Sequence, residues 1–168
     1  SINGHRPLPI YADRQTMKAL RRVYQYAFEG PLIRGYFKPE PQLINGPFAL
    51  GDLQVTPFEQ SHGSMGSLGF LFEQVGAKCL AYYNDCKAVS LQAVEAAKGV
   101  RVAVLDALRP HEHPSHMSLD EALTTARRIS ADETLLSHLT DFYDHDRDEA
   151  ELPNGVRFAY DGLKLCLS

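Results

Sequence analysis

The amino-acid sequence predicts an α/β (α+β) fold, with mixed sheets and helices packed outside them. The first half holds short strands in pairs with turn residues between them. The second half alternates apolar strands with capped helices. At 168 residues and 44% apolar, the chain is read as a single domain over residues 1–168 with a substantial core; 23% charged residues argue against bulk disorder.

Taken in order, "LPIYA" (Leu8 to Ala12) reads as a short buried strand. Asp13 caps a helix with Met17, Leu20 and Val23/Tyr24 on one face. Gly30 to Asp52 is rich in Pro and Gly and reads as a long surface excursion with brief strands, over or beside a substrate cleft. "LQVTPFEQ" (Leu53 to Gln60) is a strand; "SLGFLFEQV" (Ser67 to Val75) and "KCLAYYND" (Lys78 to Asp85) form an antiparallel pair around Gly76-Ala77. Ser90 caps a helix running to Lys98, which Gly99 stops. "VRVAVLD" (Val100 to Asp106) is a continuous apolar run, as in a strand buried on both faces. Ser118 and Glu121 spell a capping box, and Leu119, Ala122, Leu123, Ala126 and Ile129 follow on one helical face. "ETLLSH" is a short strand, "DFYDHDRDEAE" a short charged helix, and "VRFAYDGLKLCL" a hairpin about Asp161-Gly162.

A net charge of −4 excludes a strong non-specific nucleic-acid footprint, which needs a basic surface. Cys79, Cys86 and Cys166 are odd in number and form no C-x-x-C, the usage of a reduced, cytoplasmic protein. There is no signal-peptide pattern, and no apolar run approaches the roughly 18 residues of a membrane span.

Three polar residues stand just past apolar strands: His62, Asp85 and His138. Ligands favour such positions, because the strand fixes the backbone and the loop leaves the side chain open. Imidazole and carboxylate together suit Zn or Mn. Each has a plainer reading: a hydrogen-bonded loop histidine for His62, a turn aspartate for Asp85, a polar strand end for His138. "RPHEHPSHMSL" adds His111, His113 and His116. His111 and His113 read as solvated loop residues. His116 precedes the Ser118 cap by two residues, where backbone N–H groups favour an anion, so a phosphate contact and a simple loop histidine are equal readings.

The ordered series "LQVTPFEQSHGSMGSLGFLFE", "LAYYNDC", "VLDALRPHEHPSHMSLDEAL", "LLSHLTD" and "LPNGVRFAYDGLKL" resembles the metallo-β-lactamase superfamily. It is closest to the phosphodiesterase branch that includes the carbon–phosphorus lyase accessory phosphodiesterase, and more distant from the tRNA 3′-processing endonuclease. The resemblance runs from about Leu8 to the C-terminus and implies a four-layer αββα sandwich with a two-metal site at one edge. It makes His62, Asp85 and His138 metal ligands, Asp85 the bridge between two divalent ions (Zn or Mn), and His116 a non-ligand residue that contacts phosphate and protonates the leaving oxygen. Asp161 is implied to be structural, and Asp141, where some relatives carry His, marks a change in the groups that support the ligands and not the loss of a ligand. The implied activity is hydrolysis of a small phosphodiester, a nucleotide or ribose-phosphate diester.

The family's leading His-x-His-x-Asp-His motif is not in this sequence. The expectation is therefore the C-terminal portion of a metallo-β-lactamase-like domain, incomplete at its N-terminus, with a partial metal site. Exposed strand faces would then favour self-association into a homo-oligomer. The alternative function is a catalytically inactive fragment with residual anion or single-metal binding. A Ser or Cys hydrolase is disfavoured: there is no G-x-S-x-G, and Cys79 lies inside an apolar strand.

Overall fold

The structure, a computed structural model, describes residues 7–30 and 37–167. The chain forms two compact units, Ser1–Pro47 and Phe48–Ser168.

In the first unit, β1 (Leu8–Ala12) pairs in parallel with β2 (Pro39–Leu43). The expected strand is present, but it is not buried: only Ala12 is enclosed, because a two-stranded sheet leaves most side chains uncovered. The carboxylate of Asp13 accepts hydrogen bonds from the amides of Gln15 and Thr16 and starts α1 (Arg14–Val23). α2 (Gln25–Phe28) follows. Of the expected helical face, Met17 is buried whereas Val23 and Tyr24 are exposed. Phe37 and Pro39 line an apolar cleft of about 350 Å³ in this unit with Ile10, Leu20, Tyr24 and Phe28. The Gly30-to-Asp52 excursion includes residues 31–36, which lie outside the described residues.

The second unit is a seven-stranded sheet whose strands neighbour one another in chain order. β3 (Phe48–Leu50), β4 (Leu53–His62), β5 (Met65–Gln74) and β6 (Ala77–Tyr83) form an antiparallel meander. β7 (Val102–Asp106), β8 (Glu133–Ser137) and β9 (Val156–Phe158) continue it in parallel with β6. Parallel neighbours need crossovers, and α3 (Leu91–Ala97), α4 (Leu119–Ile129) and α5 (His145–Glu149) occupy the three connections. β4 extends past Gln60 because His62 pairs with Met65 across a two-residue turn. Gly63 makes that turn at φ 58°, and a Cβ there would meet the Ser115 side chain at 3.2 Å, so a glycine serves both needs.

β7 is buried at every position, as its apolar run requires. Ala103 and Leu105 contribute to the core shared with Ala93, Val94, Ala122, Ala126 and Ile129 of α3 and α4. Val102 and Val104 join Leu135 in a second cluster. That second cluster explains one departure from expectation. Residues 156–167 do not form a hairpin: Val156–Phe158 pairs in parallel with β8, and the chain after Gly162 forms no strand. The turn at Asp161-Gly162 does form, with the Leu163 amide donating to the Tyr160 carbonyl. Leu163 and Leu167 then pack against Val102, Val104 and Leu135, so burying two leucines outweighs extending the edge strand.

The capping box at Ser118 is complete. The Ser118 hydroxyl accepts from the Glu121 amide, and the Glu121 carboxylate accepts from the Ser118 amide at 2.8 Å and from Lys87 Nζ at 2.6 Å. Burial alone would raise the Glu121 pKa, but the bonds from Lys87 and Ser118 outweigh it and hold the carboxyl below 4.5. Ser118→Ala is expected to lower stability by about 1 kcal/mol, read from urea midpoints. Glu121→Gln should be destabilising at neutral pH. Because the folded carboxyl is depressed, its contribution is present above the unfolded value and is lost as pH falls through the folded one. The difference from wild type should therefore vanish once pH drops well below 4.5.

No helix among the described residues is long and apolar enough to cross a membrane.

Candidate metal and acid–base centre

β4 runs antiparallel to β5 and β5 antiparallel to β6, so β4, β6, β7 and β8 all point the same way. Their carboxyl ends share one edge of the sheet, the edge where open α/β sheets place their sites. Each delivers a polar residue there. His62 is the last residue of β4, Asp85 follows β6 by two residues, Asp106 ends β7, and His138 immediately follows β8. The loop between β7 and α4 supplies His116. It is tied down at Met117, whose amide donates to the Cys86 carbonyl and whose carbonyl accepts from Leu108.

The residues singled out from the sequence come together. Around Oδ1 of Asp85 lie Nδ1 of His62 at 3.7 Å, Nδ1 of His116 at 3.6 Å and Nε2 of His138 at 3.7 Å. Two donors each about 2.0–2.2 Å from one ion stand roughly 3 to 4 Å from each other, so the separation of Asp85 Oδ1 from His138 Nε2 fits a shared cation. The Nδ1–H of His62 donates to the Ser115 carbonyl at 2.9 Å. That leaves Nε2 with its lone pair, the tautomer a ligand histidine needs. Asp85 and His138 also adopt left-handed backbone conformations, φ 55° and 64°. Such conformations cost of order 1 kcal/mol and persist where a side chain must be aimed.

Among the described residues, Asp85, Asp106, His116 and His138 form a group whose potential ligand atoms lie within 4.8 Å of one another, and His62 is not part of it. Two of these are already committed to each other. Asp106 is fully buried, and its Oδ2 accepts from Nδ1 of His116 at 2.8 Å and from the Cys86 amide at 2.9 Å; Oδ1 accepts from the Leu108 amide at 3.0 Å. Three donors compensate the buried charge and hold the carboxylate rigid. The bond fixes the proton on Nδ1 of His116 and leaves Nε2 for chemistry, the arrangement by which a buried aspartate orients a catalytic imidazole. The His116 ring is 12% exposed and is surrounded by three others, stacked on His138 at 4.8 Å, edge-on to His62 at 4.8 Å and tilted against His113 at 4.9 Å.

Asp106 is the member of this centre that the strand-end reading passed over. It closes an apolar run just as Asp85 and His138 follow theirs, and that was the available signal. His111 is exposed, with its ring 6.5 Å from Phe142. Cys86, beside Asp85, is fully buried, and burial together with the carboxylates of Asp106 and Asp85 pushes its thiol up to about 12. A thiol so protonated is no nucleophile, which removes the cysteine-hydrolase alternative at this position.

Residues 2–139 match the model of a family described as the β-lactamase superfamily domain. The chain belongs to the β-lactamase superfamily. Members of this superfamily generally bind divalent metals, in keeping with the donor set at the sheet edge. The solved structure of a diphosphatase from the PhnP family is 28% identical, with a TM-score of 0.85 over 98% of this chain and 59% of that one. The short form of human tRNase Z shares the superfamily fold at a TM-score of 0.70 and 16% identity, over 100% of this chain and 70% of that one. An octanoyltransferase of Porphyromonas gingivalis is 29% identical over 175 residues, 99% of this chain and 34% of that protein. The chain thus spans about a third of this curated relative and 59% of the diphosphatase. The metallo-β-lactamase fold expected from the motif series is the fold observed.

Proposed function

We propose that the protein takes part in metal-dependent hydrolysis of a small phosphodiester, such as a nucleotide or ribose-phosphate diester. The observation that carries this reading is the Asp106–His116 pair held 3.6 Å from the Asp85 carboxylate, between His62 and His138. His62, Asp85 and His138 would hold a divalent cation. Such an ion supplies Lewis-acid activation of water and neutralises charge on phosphoryl oxygens. His116, with Nδ1 anchored, delivers the proton of Nε2 to the departing alkoxide, and Asp106 stabilises the imidazolium form that precedes transfer. The 28% identity to a PhnP-family diphosphatase supports phosphorus chemistry.

A second reading, cation binding without turnover, draws support from the donor count: His62, Asp85 and His138 do not make two complete ligand sets. The two readings part in one experiment. The protein is loaded with Mn or Zn, its metal content is measured, and bis(p-nitrophenyl) phosphate hydrolysis is followed. His116→Ala is expected to lower kcat by about 10²- to 10⁴-fold with metal content unchanged. Metal binding with no turnover in the wild type would favour the second reading, and an unaltered rate in His116→Ala would sink the first.

A further inference from the structure

His113 reads from sequence as a loop residue, yet it is half-buried with its ring centroid 4.9 Å from that of His116. Its Nδ1 faces the amide of Ser115 at 3.3 Å and the Ser115 hydroxyl at 3.2 Å. A backbone N–H can only donate, so Nδ1 of His113 is an acceptor and the ring proton resides on Nε2. His116 is the reverse, because the Asp106 carboxylate only accepts and the proton stays on Nδ1. Two adjacent imidazoles are therefore held in opposite tautomers by their immediate neighbours. His116 has an Nε2 that can gain and lose a proton, whereas neutral His113 has an Nε2–H that is already a donor. Partial desolvation, with the nearby positive groups of His116, Arg109 and Lys87, outweighs the pull of Asp106 and holds His113 below the ordinary histidine value, so its donor form is the neutral one.

We propose that His113 is a binding residue, donating its Nε2–H to a non-bridging phosphoryl oxygen while His116 handles the proton. This rests on the phosphodiesterase reading and adds a residue to it. A neutral donor suits the role: it stabilises charge on the oxyanion without competing with His116 for the leaving-group proton. The Ser115 contacts also explain how a residue preceding Pro114 keeps a defined ring orientation in a loop.

The test uses inorganic phosphate as ligand and histidine ¹⁵N resonances as readout, so it does not depend on turnover. Phosphate should shift the Nε2 resonance of His113. His113→Ala should weaken phosphate binding by about 10- to 100-fold, the loss expected for a hydrogen bond to a charged group. His113→Gln, whose amide can place a donor near the same point, should recover most of it. The Nδ1–H signal of His116 should persist in both variants. An unmoved His113 resonance, phosphate binding by His113→Ala equal to wild type, or failure of the glutamine variant to rescue would each overturn the proposal. If phosphate binds through His113 but the diester is not cleaved, this inference stands and the hydrolase reading fails. If the diester is cleaved and His113→Ala retains wild-type kcat/KM, the reverse holds.

Discussion

Asp106→Asn is expected to reduce diester turnover by about 10²- to 10⁴-fold without removing bound metal, placing it beside His116→Ala in effect. Three donors converge on the Asp106 carboxylate: Nδ1 of His116 and the amides of Cys86 and Leu108. An asparagine offers one acceptor oxygen and one NH₂ group, so at least one of these donors must face another donor. The two backbone amides cannot reverse their polarity, whereas an imidazole can move its proton. The expected result is a neutral His116 with its proton on Nε2 and its Nδ1 facing the amide NH₂, so the imidazolium that delivers the Nε2 proton loses its support. Asp106→Ala removes every acceptor from a fully buried site and should cost on the order of 3 kcal/mol in stability as well. Histidine ¹⁵N chemical shifts report the tautomer directly. An Asp106→Asn protein that keeps Nδ1–H on His116 and keeps its kcat would contradict the role given to this pair.

The same centre shows what a sequence can and cannot disclose. His62, Asp85 and His138 are legible because an apolar strand ending in a polar residue is a local pattern. That the three ends meet is not local. It depends on β4, β6 and β8 running in the same direction, and β5 and β7 must lie between them for that to be so. No spacing between positions 62, 85 and 138 records this; only the order of the family motifs does. Asp106 escaped because it ends a five-residue strand buried at every position, where a terminal aspartate looks like a strand stop. Its role is visible only once the loop carrying His116 folds back and Met117 bonds to Cys86. The C-terminal segment shows the converse. Asp161-Gly162 is a sound turn signal, and the turn forms, but a turn does not choose the partner of the strands beside it. The edge of β8 that β9 pairs with, and the apolar face of Val102, Val104 and Leu135 that Leu163 and Leu167 cover, made that choice.

Asp85→Asn should lower divalent-metal affinity by at least about 100-fold, beyond the loss typical of removing a residue that merely supports a ligand. Asn is the informative replacement because Asp85 occupies the left-handed region at φ 55°. Alanine would add a backbone penalty of about 1 kcal/mol there, mixing strain with ligand loss, while asparagine tolerates that conformation. The amide keeps the volume and removes only the charge around which His62, His116 and His138 gather at 3.6 to 3.7 Å. Its thermal midpoint without metal should stay close to wild type, since the Asp85 side chain is half exposed. With metal present, the wild type should gain more stability than the variant at every concentration, because a ligand at free concentration L that binds the native state raises it by RT ln(1 + L/Kd). Calorimetric titration with Mn or Zn, alongside melting curves at several metal concentrations, tests both statements. If Asp85→Asn binds as tightly as the wild type, this carboxylate does not hold the cation, and the ligand set must be sought around His138 and His62 without it.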